Sequence, residues 1–323
     1  MTGTTGPYYR SVIVLGVLSV AVLLLSRCVN NEQKATGPEP APGWEAYAAP
    51  ATCGSCHKDI YQHFLQTAHY KTGLPANDST VMGSFEKGTN VYSYTDQIKL
   101  VMEHRDSGLY QVAFFRGAEK KAMRFDMVIG SGVMGQSYLN WRADRLYQLP
   151  ITFFTAANQW SNSPGFPSER VLIDRPVTAR CLECHVTYAG NADTSRMEPL
   201  HFDKNRILYS VDCQKCHGPA AAHVQYHTAN PKDTVAKHII NPTNLSRNQQ
   251  LDICALCHGG NIQKTQPSFS FTAGKKLADY FTVDTTTRFE QNSPVDVHGN
   301  QVGLLRSSKC FQQSATLTCN TCH

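Results

Sequence analysis

The sequence predicts a mainly α-helical chain with much irregular structure, interrupted by one small antiparallel β insertion. Three observations predict it. Five CysXxxXxxCysHis motifs, at Cys53–His57, Cys181–His185, Cys213–His217, Cys254–His258 and Cys319–His323, sit in stretches whose helical patterns are brief. Pro and Gly recur between them, and the unequal gaps exclude a tandem repeat of fixed period. Residues 90–160 hold no cysteine and alternate short β-branched and aromatic runs with turn-forming residues.

The motifs carry the chemistry. Two thiols three residues apart, followed at once by an imidazole, suit covalent attachment of a c-type haem. Cys53, Cys56, Cys181, Cys184, Cys213, Cys216, Cys254, Cys257, Cys319 and Cys322 are the expected thioether positions. His57, His185, His217, His258 and His323 are the expected proximal iron ligands. Five covalently bound c-type haems follow, and they account for ten of the twelve cysteines. Paired cysteines at this spacing also hold zinc, but zinc does not require a histidine after every pair.

Composition sets further bounds. The formal charge of +5 is mildly basic, and the propionates of five haems would offset it. Lys and Arg are scattered rather than run together, so no nucleic-acid partner is expected. Five macrocycles would also supply apolar surface, so segments with weak amphipathic patterns can pack on porphyrin.

Residues 1–28 read as an export signal, a lipoprotein signal or a membrane anchor. Arg10 precedes an uncharged run from Ser11 to Ser26, followed by Arg27 and Cys28. Leu25-Ser26-Arg27-Cys28 is similar to a bacterial lipoprotein box, with Arg27 where a small residue is usual. A lipidated protein, an uncleaved anchor and a cleaved soluble protein all place the rest outside the cytoplasm, in the periplasm or at the cell surface. Residues 29–50 are polar and rich in Pro, Gly and Ala, as expected of a flexible tether.

Residues 51–89 form the first haem segment, with a helix expected over Lys58–Tyr70. His63 and His69 lie six residues apart on it, about 240° around the axis, so they cannot address the same haem. Residues 90–160 form the β insertion, with strands expected at Asn90–Tyr94, Leu109–Phe115, Arg124–Ile129 and Gln148–Thr155. Residues 161–323 carry the other four motifs, with helices expected at Leu182–Tyr188, Cys213–Tyr226 and Arg247–Leu256.

Eight of the thirteen histidines lie outside the motifs: His63, His69, His104, His201, His223, His227, His238 and His298. Ligation of most irons by two histidines is the economical reading, and it gives low-spin, low-potential centres. Methionine is the rival ligand, and Met102, Met123, Met127 and Met134 cluster in the insertion. His223 and His227 are four apart and share a helix face, serving either two haems or one haem and its surroundings. Cys310 has no motif partner and reads as a buried free thiol.

With these residues in view, the chain resembles the multihaem cytochrome c-554 family, a group related to hydroxylamine oxidoreductase and octahaem tetrathionate reductase. Cys53-Gly54-Ser55-Cys56-His57 followed by Thr67-Ala68-His69 carries the resemblance, as does Cys213–His217 with Gly218-Pro219 leading to His223. Ile240-Asn241-Pro242 ahead of Cys254–His258, and Val297-His298-Gly299 ahead of Cys319–His323, also fit. The match runs from about Thr52 to the end. It implies a stack of closely packed haems, mostly bis-histidine, with distal ligands donated from distant parts of the chain. His69, His223 and His298 are the distal ligands it implies, with His201 and His227 as further candidates. Two departures matter. The chain stops at His323 where the family usually supplies a further histidine, so a tail is missing or one iron lacks a ligand. No motif carries the lysine of the nitrite reductase active site, which argues against that chemistry.

The expected function is electron transfer outside the cytoplasm, with a redox protein at each end of a short haem wire. The first alternative is an oxidoreductase acting on a small nitrogen or sulfur compound at one five-coordinate haem. The second is a haem subunit of a larger complex or filament.

Overall fold

The computed structural model describes residues 41–191, 198–282 and 299–322. The expected signal or anchor at 1–28, most of the tether, His298 and His323 lie outside the described residues. The chain is mixed α/β, with 29% helix and 26% strand. The expectation of a mainly α fold with a small β insertion is therefore overturned. The physical reason is that each motif needs only one or two helical turns to present its thiols and imidazole, so no long amphipathic helix is built. Strands also recur outside the insertion.

The first motif lies on α1 (Pro50–Cys56) and is followed by α2 (Lys58–Phe64) and α3 (Ala68–Lys71). The single helix expected over Lys58–Tyr70 is thus broken. Thr67 ends one segment and caps the next, its hydroxyl accepting from the Tyr70 N–H at 3.2 Å. Next come β1 (Gly73–Pro75), β2 (Val91–Ser93), β3 (Ile98–Arg105), β4 (Gly108–Phe115), β5 (Ala118–Arg124), β6 (Met127–Ile129), β7 (Gly135–Arg142), β8 (Arg145–Gln148), β9 (Ile151–Phe154) and β10 (Gln159–Asn162).

These strands make two antiparallel sheets. One has the order β1-β6-β7-β9-β10 with β8 paired to β7, and the other the order β2-β3-β4-β5. Tight hairpins set the registers. Phe115 pairs with Ala118 across a two-residue loop in which Arg116 (φ 50°) and Gly117 (φ 79°) are both left-handed, the turn whose twist matches the strands it joins. The sheets enclose an aromatic core. Trp160 lies 5.4 Å from Phe153 and 5.6 Å from Tyr138 by ring centres, and its indole N–H donates to the Ser84 carbonyl at 2.7 Å. Met102, Met123 and Met127 are buried in these sheet cores, while Met134 is exposed on the loop before β7.

A second core joins the insertion to the second motif. Met127, Leu139 and Leu146 pack with Leu182 and Val186 of the motif segment and with Phe202 and Ile207. The second motif lies on α4 (Ala179–His185), and β11 (Tyr188–Asn191) pairs antiparallel with β12 (Phe202–Leu208) on the way to the third. The expected helix Leu182–Tyr188 therefore starts earlier and gives way to a strand. The third motif is α5 (Cys213–His217), and α6 (Ala221–Ala229) follows. The expected helix Cys213–Tyr226 is split at Gly218, whose φ of 80° no helix accommodates, and at Pro219.

The fourth motif ends α7 (Arg247–His258), which opens on a capping box between Ser246 and Gln249. The short strands β13 (Gln263–Lys264) and β14 (Phe281–Thr282) pair beyond it, and α8 (Gln301–Ser307) and α9 (Lys309–Gln313) lead to a 3₁₀ turn at Cys319–Thr321. Among the described residues no helix is long and apolar enough to cross a membrane.

Candidate haem sites

Helical geometry explains why each motif presents its groups together. Residues three and four apart share a helix face, so both thiols and the imidazole of a CysXxxXxxCysHis run point the same way. In the first motif the His57 N–H donates to the Cys53 carbonyl at 2.9 Å, closing that turn. Asp212 caps the third motif, accepting from the Gln214 N–H at 2.8 Å.

Three motif histidines are held by their Nδ1 atoms. His217 Nδ1 lies 2.8 Å from the Ile240 carbonyl, His258 Nδ1 lies 3.1 Å from Gln301 Oε1, and His185 Nδ1 lies 3.0 Å from Thr72 Oγ1. Outside the motifs, His223 Nδ1 lies 2.7 Å from the Lys237 carbonyl. A ring whose Nδ1–H donates to a carbonyl keeps its proton there, and Nε2 carries the lone pair a metal needs. Burial pushes the His185 imidazole down to about 4, so it stays neutral, the form that binds metal.

Two histidine pairs have the spacing of axial ligands. An iron held by two imidazoles on opposite sides sets ring centres about 6 Å apart, from two bonds of about 2 Å and roughly 1 Å from each nitrogen to its ring centre. His57 and His223 are 6.5 Å apart by ring centres, and His69 and His258 are 6.3 Å apart. Each pair joins one motif histidine to one from a distant part of the chain.

The remaining histidines differ. His201 has both ring nitrogens committed: Nδ1 lies 2.7 Å from Asp144 Oδ2, and Nε2 accepts from Arg145 Nε at 3.1 Å. It faces the insertion. His227 stands 4.6 Å from His223 by ring centres, and its Nε2 is buried without a hydrogen-bond partner among the described residues. His63 is exposed on α2. His104 lies on β3 near Asp78, and His238 packs against Tyr226.

The motifs converge. The thiol of Cys53 lies near enough to that of Cys213 for each to shift the other's proton affinity, as Cys184 does with Cys257 and Cys254 with Cys319. In the first pair this proximity holds Cys53 down at about 7 and pushes Cys213 up. Backbone contacts repeat the pattern. The Cys184 thiol lies 3.8 Å from the Leu256 carbonyl, and the Cys257 thiol 3.9 Å from the Glu183 carbonyl. Lys215 of the third motif donates to the carbonyls of Val186 and Thr187 just after the second. Gln214 accepts from the Ala48 N–H and donates to the Ala48 carbonyl, each at 2.9 Å, which docks the residues before the first motif.

The residues fit haem by a second criterion. The helices α1, α2, α3 and α6 bury no residue, and Ile60 on α2 is 69% exposed. Helices of this length are not stable alone in water, and the buried clusters among the described residues do not include them. A large apolar macrocycle held by the adjacent thiols would supply the missing surface. His227 Nε2, buried and unpaired, is a further polar atom that a haem iron would satisfy.

Sequence reasoning missed the groups that aim the imidazoles: Thr72, Ile240 and Gln301, and Lys237 behind His223. Three of the four contacts engage a small hydroxyl or a backbone carbonyl, which no residue pattern advertises. It also missed Arg180, Glu183 and Lys264, which form a buried ion cluster beside the second motif.

Comparison with known proteins agrees in kind. Residues 156–218, which contain the second and third motifs, match the family described as cytochrome c554 and c-prime. No curated protein matches the chain. A crystal structure of the outer cell wall cytochrome OcwA is similar at 18% identity with a TM-score of 0.48, covering 74% of this chain and 45% of that one. The chain thus spans less than half the length of that structure.

Proposed function

We infer that this chain, a multihaem c-type cytochrome with a cytochrome c554-type segment at residues 156–218, carries electrons through five closely packed haems. The observation that carries the reading is the pairing of His57 with His223 and of His258 with His69 at iron-spanning distance. When bound, each haem supplies an iron that gains and loses one electron. The protein's part is to close and orient those irons. His223 and His69 cap the first and fourth sites, and His227, with its unpaired Nε2, is the candidate for a neighbouring one. We leave His201 out of the ligand set, because Asp144 and Arg145 occupy both of its nitrogens. His298 and His323 remain the proposed ligands at the C-terminal motif.

The thiol contacts order the sites. The first motif touches the third, the fourth touches both the second and the fifth, and Lys215 links the third to the second. These contacts support the order first, third, second, fourth, fifth. A path with ends at the first and fifth motifs suits an electron donor at one end and an acceptor at the other. The N-terminal 28 residues support an extracytoplasmic location held at a membrane by an anchor or a lipid, since c-type attachment in bacteria takes place there.

The test is the intact mass of the protein purified from a host competent for haem attachment. Five covalent haems are expected. Three or fewer would defeat the reading.

A further inference from the structure

The second and fourth motifs meet beside a largely buried group of charges. Glu183 lies between the two cysteines of the second motif, and its side chain is 2% exposed. Its Oε2 accepts from Lys264 Nζ at 3.0 Å, and its Oε1 accepts from the Phe269 N–H at 2.5 Å. Lys264 is 5% exposed and also donates to Ser268 Oγ. Arg180, one residue before the motif, places Nη1 at 3.6 Å from Glu183 Oε2, and Nη2 donates to the Leu256 carbonyl at 2.8 Å. Leu256 immediately precedes Cys257 of the fourth motif. Arg180 and Lys264 both face the Phe281 ring, at 5.0 Å and 6.0 Å. Glu198 stands at the rim, 39% exposed and 4.0 Å from Lys264.

A buried ion pair is a costly way to hold two segments together, since well-packed apolar residues of the same size commonly do as well or better. What an apolar substitute cannot supply is a fixed field. In a dry site a charge acts on its neighbours far more strongly than in water, and burial, hydrogen bonding and local charge are among the levers that set a haem potential.

We propose that the Arg180–Glu183–Lys264 cluster sets the potentials of the haems at the second and fourth motifs relative to the other three. The inference rests on haem attachment at those motifs. Glu183 stabilises the ferric state there, and Arg180 and Lys264 stabilise the ferrous state. Neighbouring sites within a path gain from such control, because their potentials set the steps an electron must cross between its ends.

The experiment is a spectroelectrochemical titration of the full haem-loaded chain and of its Glu183→Gln and Lys264→Met variants, with intact mass measured on each. Glu183→Gln is expected to raise two of the five potentials and Lys264→Met to lower the same two. Each change amounts to at least about threefold in the ferric-to-ferrous ratio at fixed potential. If either variant fails to fold, Arg180→Gln, whose side chain is 22% exposed, is expected to lower the same two. Potentials that do not move, or that move in the same direction in both variants, would overturn the proposal and assign the cluster a purely structural role. Unmoved potentials with five haems present would leave the electron-transfer reading standing. A mass lacking haem at these motifs would overturn both.

Discussion

His223→Ala opens one iron. The variant is expected to retain every haem while one low-spin centre becomes high-spin and takes up carbon monoxide when reduced, because His223 faces His57 across the spacing of an axial pair. His69→Ala is expected to do the same at the fourth motif, opposite His258. The double variant opens two. His201→Ala is the contrast: its nitrogens bond to Asp144 and Arg145, so spin state and gas binding stay as in the parent. Electron paramagnetic resonance of the oxidised proteins and a carbon monoxide titration of the reduced ones check all four. An unchanged spin state in His69→Ala or His223→Ala would remove that histidine from the ligand set.

The second large effect is steric. A Cβ added at Gly73 would stand 2.2 Å from the carbonyl oxygen of His185, far inside contact distance. Neither side can yield cheaply. Gly73 pairs with Ile129 in the sheet and accepts from the Ser210 N–H at 2.7 Å, while His185 closes the helix of the second motif. Gly73→Ala is therefore expected to destabilise the protein by about 3 kcal/mol or more, at the upper end of what overpacking costs. It should also lower haem occupancy at the second motif, since the segment it displaces includes Thr72, which holds the His185 ring. Denaturant unfolding followed by circular dichroism, together with intact mass, measures both. A midpoint equal to that of the parent would show that the contact is relieved by a local shift.

The attachment chemistry is legible in the sequence because it is local. Five residues in a row carry two thiols and an imidazole, and one helical turn brings them together. The architecture is not legible to the same degree. The pattern of Leu109–Phe115 reads as a strand, but β3 sets Lys99, Glu103 and Arg105 among its apolar residues and β7 buries the amide of Gln136, which hides their alternation. The helices expected at Lys58–Tyr70 and Cys213–Tyr226 carry continuous patterns, yet Thr67 and Gly218 break them to turn the chain between sites. His69 and His223 stand out by their distance from the nearest motif. Their pairing with His258 and His57 depends on how the chain returns on itself, which only the folded structure supplies. The supports behind the rings follow the same rule: Ile240 acts through its carbonyl, so its side chain gives no sign of it.

The central claim is that most of these irons are closed on both sides and serve to pass electrons. Electron paramagnetic resonance of the oxidised native protein, before and after exposure of the reduced protein to nitric oxide, tests it most directly. The expected result is low-spin signals from at least four haems and at most one nitrosyl species. High-spin signals with nitrosyl formation at two or more haems would contradict it.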